Sequence, residues 1–158
     1  LKHAAPAAKL IDYFPYGYDE RQYNSPGFRL DVGLFQRSQF ATFPEYHTSG
    51  DNLDFIAPEH LEASLGIVAR AIQVLELGDR RFVNTAPYGE PQLGKRGLYA
   101  AIGGDKDGYA KNMAMLWILN LSDGGHSLLD IAERADIPLS VIAETADTLR
   151  QSGLLAAA

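Results

Sequence analysis

Residues 127–155, "SLLDIAERADIPLSVIAETADTLRQSGLL", carry the clearest fold signal in the C-terminal part of the chain. Residues 128–135 place their apolar side chains on one side of a predicted helix. "DIP" at 136–138 ends this helix, because proline does not continue a helical turn. A second predicted helix begins at Leu139 and stops at Gly153, a residue type that commonly ends helices. The pattern is that of two helices joined by a short turn.

The segments on either side extend this pair. A helix is predicted over 112–121, "NMAMLWILNL", and a turn over 122–127 joins it to the pair. The apolar residues that follow Gly153 are suited to a short strand. Helix, turn, helix and a following strand are typical of a winged helix-turn-helix domain, which we place at 113–158.

The charge of this domain disfavours DNA as a partner, because reading DNA requires Lys and Arg at the phosphates. Residues 121–158 contain two arginines against six acidic residues. Glu144 and Asp147 stand near the middle of the presumed recognition helix. The balance favours a domain that packs on the rest of the protein, mediates homo-oligomerisation or docks a peptide or protein. A DNA-binding regulator is the weaker alternative.

The composition of the whole chain sets further limits. Its 158 residues carry a formal net charge of −6 and include no cysteine, so any metal site must use His, Asp or Glu. No apolar run approaches the roughly 20 residues needed to cross a bilayer, so we expect no membrane partner and a cytoplasmic protein. The chain begins without Met or a signal-peptide pattern, which suggests a piece of a longer protein.

The N-terminal half is predicted to be a mixed α/β unit. A short apolar run over 8–17 and the alternating apolar residues of 28–35 predict two strands, with a polar helical turn between them. Residues 36–57 form a long loop, and loops of that length are often functional. An amphipathic helix then starts at Pro58 and is ended by Gly78. Its apolar stripe consists of Leu61, Leu65, Val68, Ile72 and Leu75.

The link between the two halves is rich in Gly and Pro. A strand is indicated within "RRFVNTAPYG", 80–89, and no clear period follows it. We therefore divide the chain into the C-terminal portion of an α/β domain at 1–84, a connector at 85–112 and the winged domain at 113–158.

Two motifs of the N-terminal half could carry chemistry. Asp19 and Glu20, in "YDERQY", follow a predicted strand end, where carboxylates can bind a metal, hold a ligand histidine or orient a base. His47, in "FPEYHTSGDNLD", stands among acidic residues of the long loop. Neutral imidazole is the commonest zinc ligand, but a catalytic zinc needs about three protein ligands. A solvated turn and a polar surface loop are the alternative interpretations.

The two motifs, followed by the long helix, resemble the end of the zinc aminopeptidase fold. That clan contains bacterial leucyl aminopeptidases, carboxypeptidase-like exopeptidases and glutaminyl cyclases. Its pattern is Ser-Asp-His, two residues, Phe and a Gly-Ile-Pro turn, then a His-Thr-x-x-Asp loop with the last zinc-ligand histidine. The matching positions are Asp19, Tyr23, Gly27, His47, Thr48 and Asp51. Glu20 stands where the family has its histidine. "DERQY.SPG" and an appended winged-helix domain resemble an uncharacterised aminopeptidase-like subfamily of bacteria.

The resemblance implies the C-terminal part of a phosphorylase/hydrolase-like sandwich, the zinc exopeptidase fold, followed by the winged domain. It implies that His47 holds one of one or two zinc ions in the intact protein. It also implies that Asp19 orients a neighbouring ligand or the base, and it leaves Glu20 as a possible catalytic residue.

The activity implied by the resemblance is hydrolysis of an N-terminal peptide bond by metal-activated water, on a peptide or small amide substrate. The other ligands and the general base are expected upstream, in the same peptidase domain. This chain alone is therefore expected to be inactive. A non-catalytic binding or assembly protein on the same fold is the alternative.

Overall fold

A computed structural model describes residues 5–99 and 106–158, without the side chains of Lys106 and Asp107. The chain forms two compact units, Leu1–Val68 and Ala69–Ala158. In the described part of the chain no helix is long and apolar enough to cross a membrane.

The first unit contains little regular structure. The expected helical turn is α1, Asp19–Tyr23, and residues 36–57 form the expected long loop. The strands predicted over 8–17 and 28–35 are wrong, since neither segment joins a sheet. An alternating apolar pattern forms a strand only where another strand pairs with its backbone groups. No described residue supplies that partner, so the exopeptidase sandwich is not seen in residues 5–99 or 106–158.

The long helix α2 spans Pro58–Gly78, as predicted. Proline suits the first helical turn because its missing N–H would have no helical acceptor there. The apolar stripe of this helix is exposed, although the periodicity favoured burial. Its five members, Leu61, Leu65, Val68, Ile72 and Leu75, have exposed fractions between 41% and 79%.

The second unit confirms the predicted helix-turn-helix. Its helices are α3, Lys106–Leu121, α4, Leu128–Ala135, and α5, Leu139–Gln151. The segment predicted as a turn at 122–127 is instead mostly a strand, β2, Asp123–Ser127. The sequence "DGGHS" gave no strand signal because glycine is depleted in strands. The side chains that are almost completely inaccessible are Leu93, Ile118, Leu128, Ile131, Ile142, Leu149 and Leu154.

The helix ends follow local chemistry. The Ser127 hydroxyl accepts the backbone N–H of Asp130, and the Asp130 carboxylate accepts that of Ser127, which makes a capping box for α4. Asp136 turns the chain between α4 and α5 with a left-handed φ of 54°. Gly153, at φ 73°, ends α5 as predicted, and Leu154 N–H donates to the Leu149 carbonyl across the turn.

The central strand of the sheet in the second unit precedes the three helices in the chain. The strand indicated within 80–89 is β1, Arg81–Asn84, and the strand after Gly153 is β3, Leu155–Ala157. Strand order is β2-β1-β3, with both pairings antiparallel, so β1 is the central strand. The sequence division had placed Arg81–Asn84 at the end of the N-terminal domain. Among the residues described, these four pair only with β2 and β3 of the winged domain.

Candidate functional site

The His47 loop is braced by its own hydrogen bonds. The Thr48 hydroxyl donates to the Glu45 carbonyl over 2.9 Å and accepts the Gly50 N–H over 3.2 Å. Asp51 N–H donates to the Thr48 carbonyl over 3.1 Å. His47 itself is exposed and has a left-handed φ of 57°. A residue other than glycine adopts this conformation only where its surroundings stabilise it, and such positions are frequent at functional sites.

The imidazole of His47 stacks on the ring of Tyr46. The two ring centroids are 4.0 Å apart and the planes are inclined by 15°. Tyr46 in turn meets Phe43 edge-on at 5.6 Å and Phe40 in a tilted contact at 6.3 Å. The imidazole is thus supported on one face while the residue as a whole stays open to solvent.

The same aromatic cluster reaches the other predicted motif. Tyr18, directly before Asp19, meets Phe40 edge-on with ring centroids 6.0 Å apart. Partial burial raises the pKa of Tyr46, and the neighbouring Tyr18 raises it further. The chain neighbours of Asp19 and His47 therefore share one cluster of rings, as expected if the two motifs belong to one site.

Asp19 and Glu20 form the first turn of α1 and differ in environment. Asp19 is exposed, whereas Glu20 is half-buried and folds back over Gly17. The Tyr18 N–H donates to Glu20 Oε2 over 3.3 Å, while Oε1 is buried and accepts no hydrogen bond from the described residues. A side chain at Gly17 would overlap the Glu20 carboxylate, with a Cβ only 1.4 Å from Oε1. Glycine at position 17 is thus required for this placement.

The His47 loop offers one side chain suited to bind zinc. The exposed imidazole of His47 has the right chemistry for zinc. Among the residues that the structure describes, however, no group of three or more His, Asp and Glu could hold a metal ion. The described residues therefore do not make a metal site by themselves, and zinc binding would require ligands beyond them.

The remaining histidines and motif positions lie elsewhere. His60 is exposed in the first turn of α2, and His126 Nδ1 lies 3.0 Å from Asp123 Oδ1 in β2. His3 falls outside the described residues. Tyr23 and Asp51 are exposed, and the basic residues of the connector form a 3₁₀ turn, Gly94–Arg96.

The sequence did not reveal the supporting rings. The sequence shows three tyrosines in or beside the two motifs, Tyr16, Tyr18 and Tyr46. All three contact Phe40, which lies in the long loop and is distant in sequence from Tyr16 and Tyr18. An aromatic residue directly before each motif is the signal that could have suggested the cluster.

The recognition helix of the winged domain pairs its acidic residues within the chain. Arg80 binds Asp147 with both nitrogens, Nη2 to Oδ1 at 2.5 Å and Nη1 to Oδ2 at 3.4 Å. Arg80 also lies over the ring of Phe82, 5.2 Å from its centroid. This pairing lowers the pKa of Asp147. Lys111 contacts Glu144 at 3.3 Å. Both acidic residues of α5 are therefore engaged in ion pairs with other elements of the second unit.

Two protein-family models match the chain, and the boundary between them falls at the end of α2. Residues 80–157 match the family model described as winged helix-turn-helix. Residues 1–78 match the model described as a domain of unknown function, DUF4910.

Two relatives come from Clostridium acetobutylicum. One is provisionally named as a polysaccharide biosynthesis protein with an aminopeptidase-like domain, and it is 43% identical over 98% of this chain. The other is a crystal structure of a provisionally assigned peptidase, 38% identical over 97% of this chain with a TM-score of 0.82. The chain spans 35% of the first relative and 33% of the second.

The order of helices and strands in the second unit agrees with the first of these family models, and both relatives extend the likeness over nearly the whole chain. Residues 80–157 are a winged helix-turn-helix domain, and the chain that carries it is similar to one protein named for an aminopeptidase-like domain and to another provisionally assigned as a peptidase.

Proposed function

We propose that this chain is the C-terminal part of an aminopeptidase-like protein in which His47 is a zinc ligand and the substrate is a peptide or small amide. The observation that carries the proposal is the His47 loop. It is braced by hydrogen bonds, holds its imidazole in the open and shares its ring cluster with the residue before Asp19. The similarity to an aminopeptidase-like protein over 98% of the chain supports it.

The residues of this chain would have distinct parts in such a site. His47 would present an imidazole nitrogen, and its backbone conformation and ring stacking orient that imidazole. The carboxylates of Asp19 and Glu20, in one helical turn beside Tyr18, would orient a ligand or a base held by the rest of the protein. Zinc, when bound, would supply Lewis-acid activation of water.

Metal analysis of the intact protein tests this proposal. Wild-type protein is expected to retain zinc through dialysis, and His47→Ala is expected to lose it, because one of about three protein ligands is removed. The matched control is His60→Ala, an exposed histidine of the same unit that should leave the zinc content unchanged. Zinc retained by His47→Ala, or no zinc in the wild type, would contradict the proposal. The 158-residue chain alone is expected not to hydrolyse an aminoacyl-nitroanilide.

A non-catalytic binding or assembly role is the second candidate. It is favoured by one observation, that the described residues contain no group able to hold a metal by themselves. For the winged domain we propose docking within the protein rather than DNA binding, because residues 121–158 carry six acidic residues against two arginines and so offer few cations for the phosphates. Duplex DNA added to the chain at low salt is expected to show no shift in electrophoretic mobility. A shift that weakens steeply with added salt would instead support a DNA-binding regulator.

A further inference from the structure

We infer that Tyr46 is a positioning residue for His47, acting through its ring and not through its hydroxyl. This inference rests on the proposed role of His47. A histidine ligand normally has its ring orientation fixed by a neighbouring group, most often a hydrogen-bond acceptor at its second nitrogen. Here the neighbour with defined geometry is an aromatic face, 4.0 Å from the imidazole and nearly parallel to it.

The backbone and the ring contact act together. A left-handed φ of 57° at His47 reverses the chain locally and allows its side chain to lie over that of the preceding residue. Two consecutive residues of an extended strand would instead point to opposite faces. The hydrogen bonds of Thr48 to Glu45 and Gly50 stabilise this turn from the following side.

Tyr46 is itself held by two aromatic neighbours, Phe43 and Phe40. Phe43 packs against it edge-on at 5.6 Å, Phe40 contacts it at 6.3 Å, and Phe43 continues to Phe55 at 5.9 Å. Aromatic pairs at these separations attract each other beyond the effect of their buried area. Tyr18 packs on the same Phe40, so a displacement of Tyr46 would also alter the packing of Tyr18, the residue before Asp19.

Two substitutions of Tyr46 distinguish a role of its hydroxyl from a role of its ring. Tyr46→Phe keeps the stacked face and removes the hydroxyl that interacts with Tyr18. Tyr46→Leu removes the face and keeps an apolar side chain for Phe40 and Phe43. If the ring positions the imidazole, only the leucine variant changes the behaviour of His47.

Two measurements test the inference. In NMR spectra of the 158-residue chain, the ring protons of His47 are expected upfield of those of exposed His60, because they lie over the Tyr46 face. Tyr46→Leu is expected to bring them to the His60 values, and Tyr46→Phe to leave them upfield. In the intact protein, Tyr46→Leu is expected to weaken zinc affinity about 10- to 100-fold. Tyr46→Phe and the control Tyr13→Leu, an exposed tyrosine outside the ring contacts described above, should remain near wild type.

The outcomes separate this inference from the proposed function. If His47→Ala abolishes zinc binding while Tyr46→Leu binds zinc normally, the positioning role is overturned and the ligand role stands. If His47→Ala binds zinc normally, the ligand role fails, and the His47 ring shifts alone decide whether Tyr46 orients the imidazole. A uniform loss of melting temperature in both Tyr46 variants, with unchanged His47 shifts, also overturns the inference.

Discussion

Asn84 of β1 is expected to be a principal polar contributor to the stability of the winged domain. Asn84 is 9% exposed, and its side chain makes two hydrogen bonds. Nδ2 donates to the Leu119 carbonyl over 2.8 Å, and Oδ1 accepts the Ala86 N–H over 2.8 Å. Leu119 lies in the last turn of α3, where carbonyls have no helical partner, so Asn84 satisfies a group that the helix leaves open.

Asn84→Ala removes both bonds without removing their partners. The buried Leu119 carbonyl would cost about 1–3 kcal/mol when left unsatisfied, and the partly exposed Ala86 N–H about 0.5–1.5 kcal/mol. The expected loss is therefore about 2–4 kcal/mol of unfolding free energy. Trp117, the single tryptophan of the chain, lies on α3 and packs against the core, so its fluorescence reports unfolding of this domain in urea. The control is Asn120→Ala, an exposed asparagine of α3 expected to change stability by about 0.5 kcal/mol or less.

Asn84→Asp tests the same geometry through pH. A carboxylate there would face the Leu119 carbonyl oxygen and would be buried, and both effects raise its pKa in the folded state. The penalty relative to wild type should be large at pH 7, since the folded protein disfavours the charged form, and should shrink as the pH falls and the carboxyl becomes protonated. Equal urea midpoints for Asn84→Ala and Asn120→Ala, or a pH-independent penalty for Asn84→Asp, would refute this account.

Three other perturbations have defined outcomes. Ser127→Ala removes the capping box of α4 and should cost about 1 kcal/mol, seen as a lower urea midpoint by the same fluorescence; an unchanged midpoint would contradict the cap. Residues 79–158 should fold alone with a cooperative thermal transition, whereas 85–158 lack β1 and should show none; a cooperative transition in the shorter piece would contradict the sheet order. Hydrogen bonding by His126 lowers the pKa of Asp123 to about 2 from 3.8. The stability from this carboxylate is thus present above about pH 4 and lost as the pH falls through about 2, and His126→Ala should raise the Asp123 titration midpoint in NMR.

The elements that the sequence predicted well are those determined by nearby residues. Pro58 and Gly78 bound α2 correctly because a helix satisfies its own backbone groups within four residues. The turn at Asp136 and the stop at Gly153 are also local, and they define the helix-turn-helix. Each of these signals lies within a few positions of the structure it determines.

The elements that it predicted poorly depend on distant partners. Residues 28–35 alternate as a strand should, but a strand needs a paired neighbour, and the described residues provide none. Residues 123–127 lack any strand signal and are nevertheless paired with β1. At the candidate site, His47 and Asp19 could be found from motif resemblance, whereas the roles of Phe40 and Tyr46 follow from ring contacts that no spacing reveals.

The junction between the two family matches, at residues 78–80, lies within the second compact unit and makes contacts there. Gly78 ends α2 and lies against Leu129 and Leu139, at the starts of α4 and α5. Two residues later Arg80 binds Asp147 of α5, and its carbonyl accepts the Leu128 N–H. The strand that follows is the centre of the sheet. A partner that engaged the Asp147 carboxylate of α5 would therefore compete with Arg80, which stands two residues after the end of α2 and directly before the central strand.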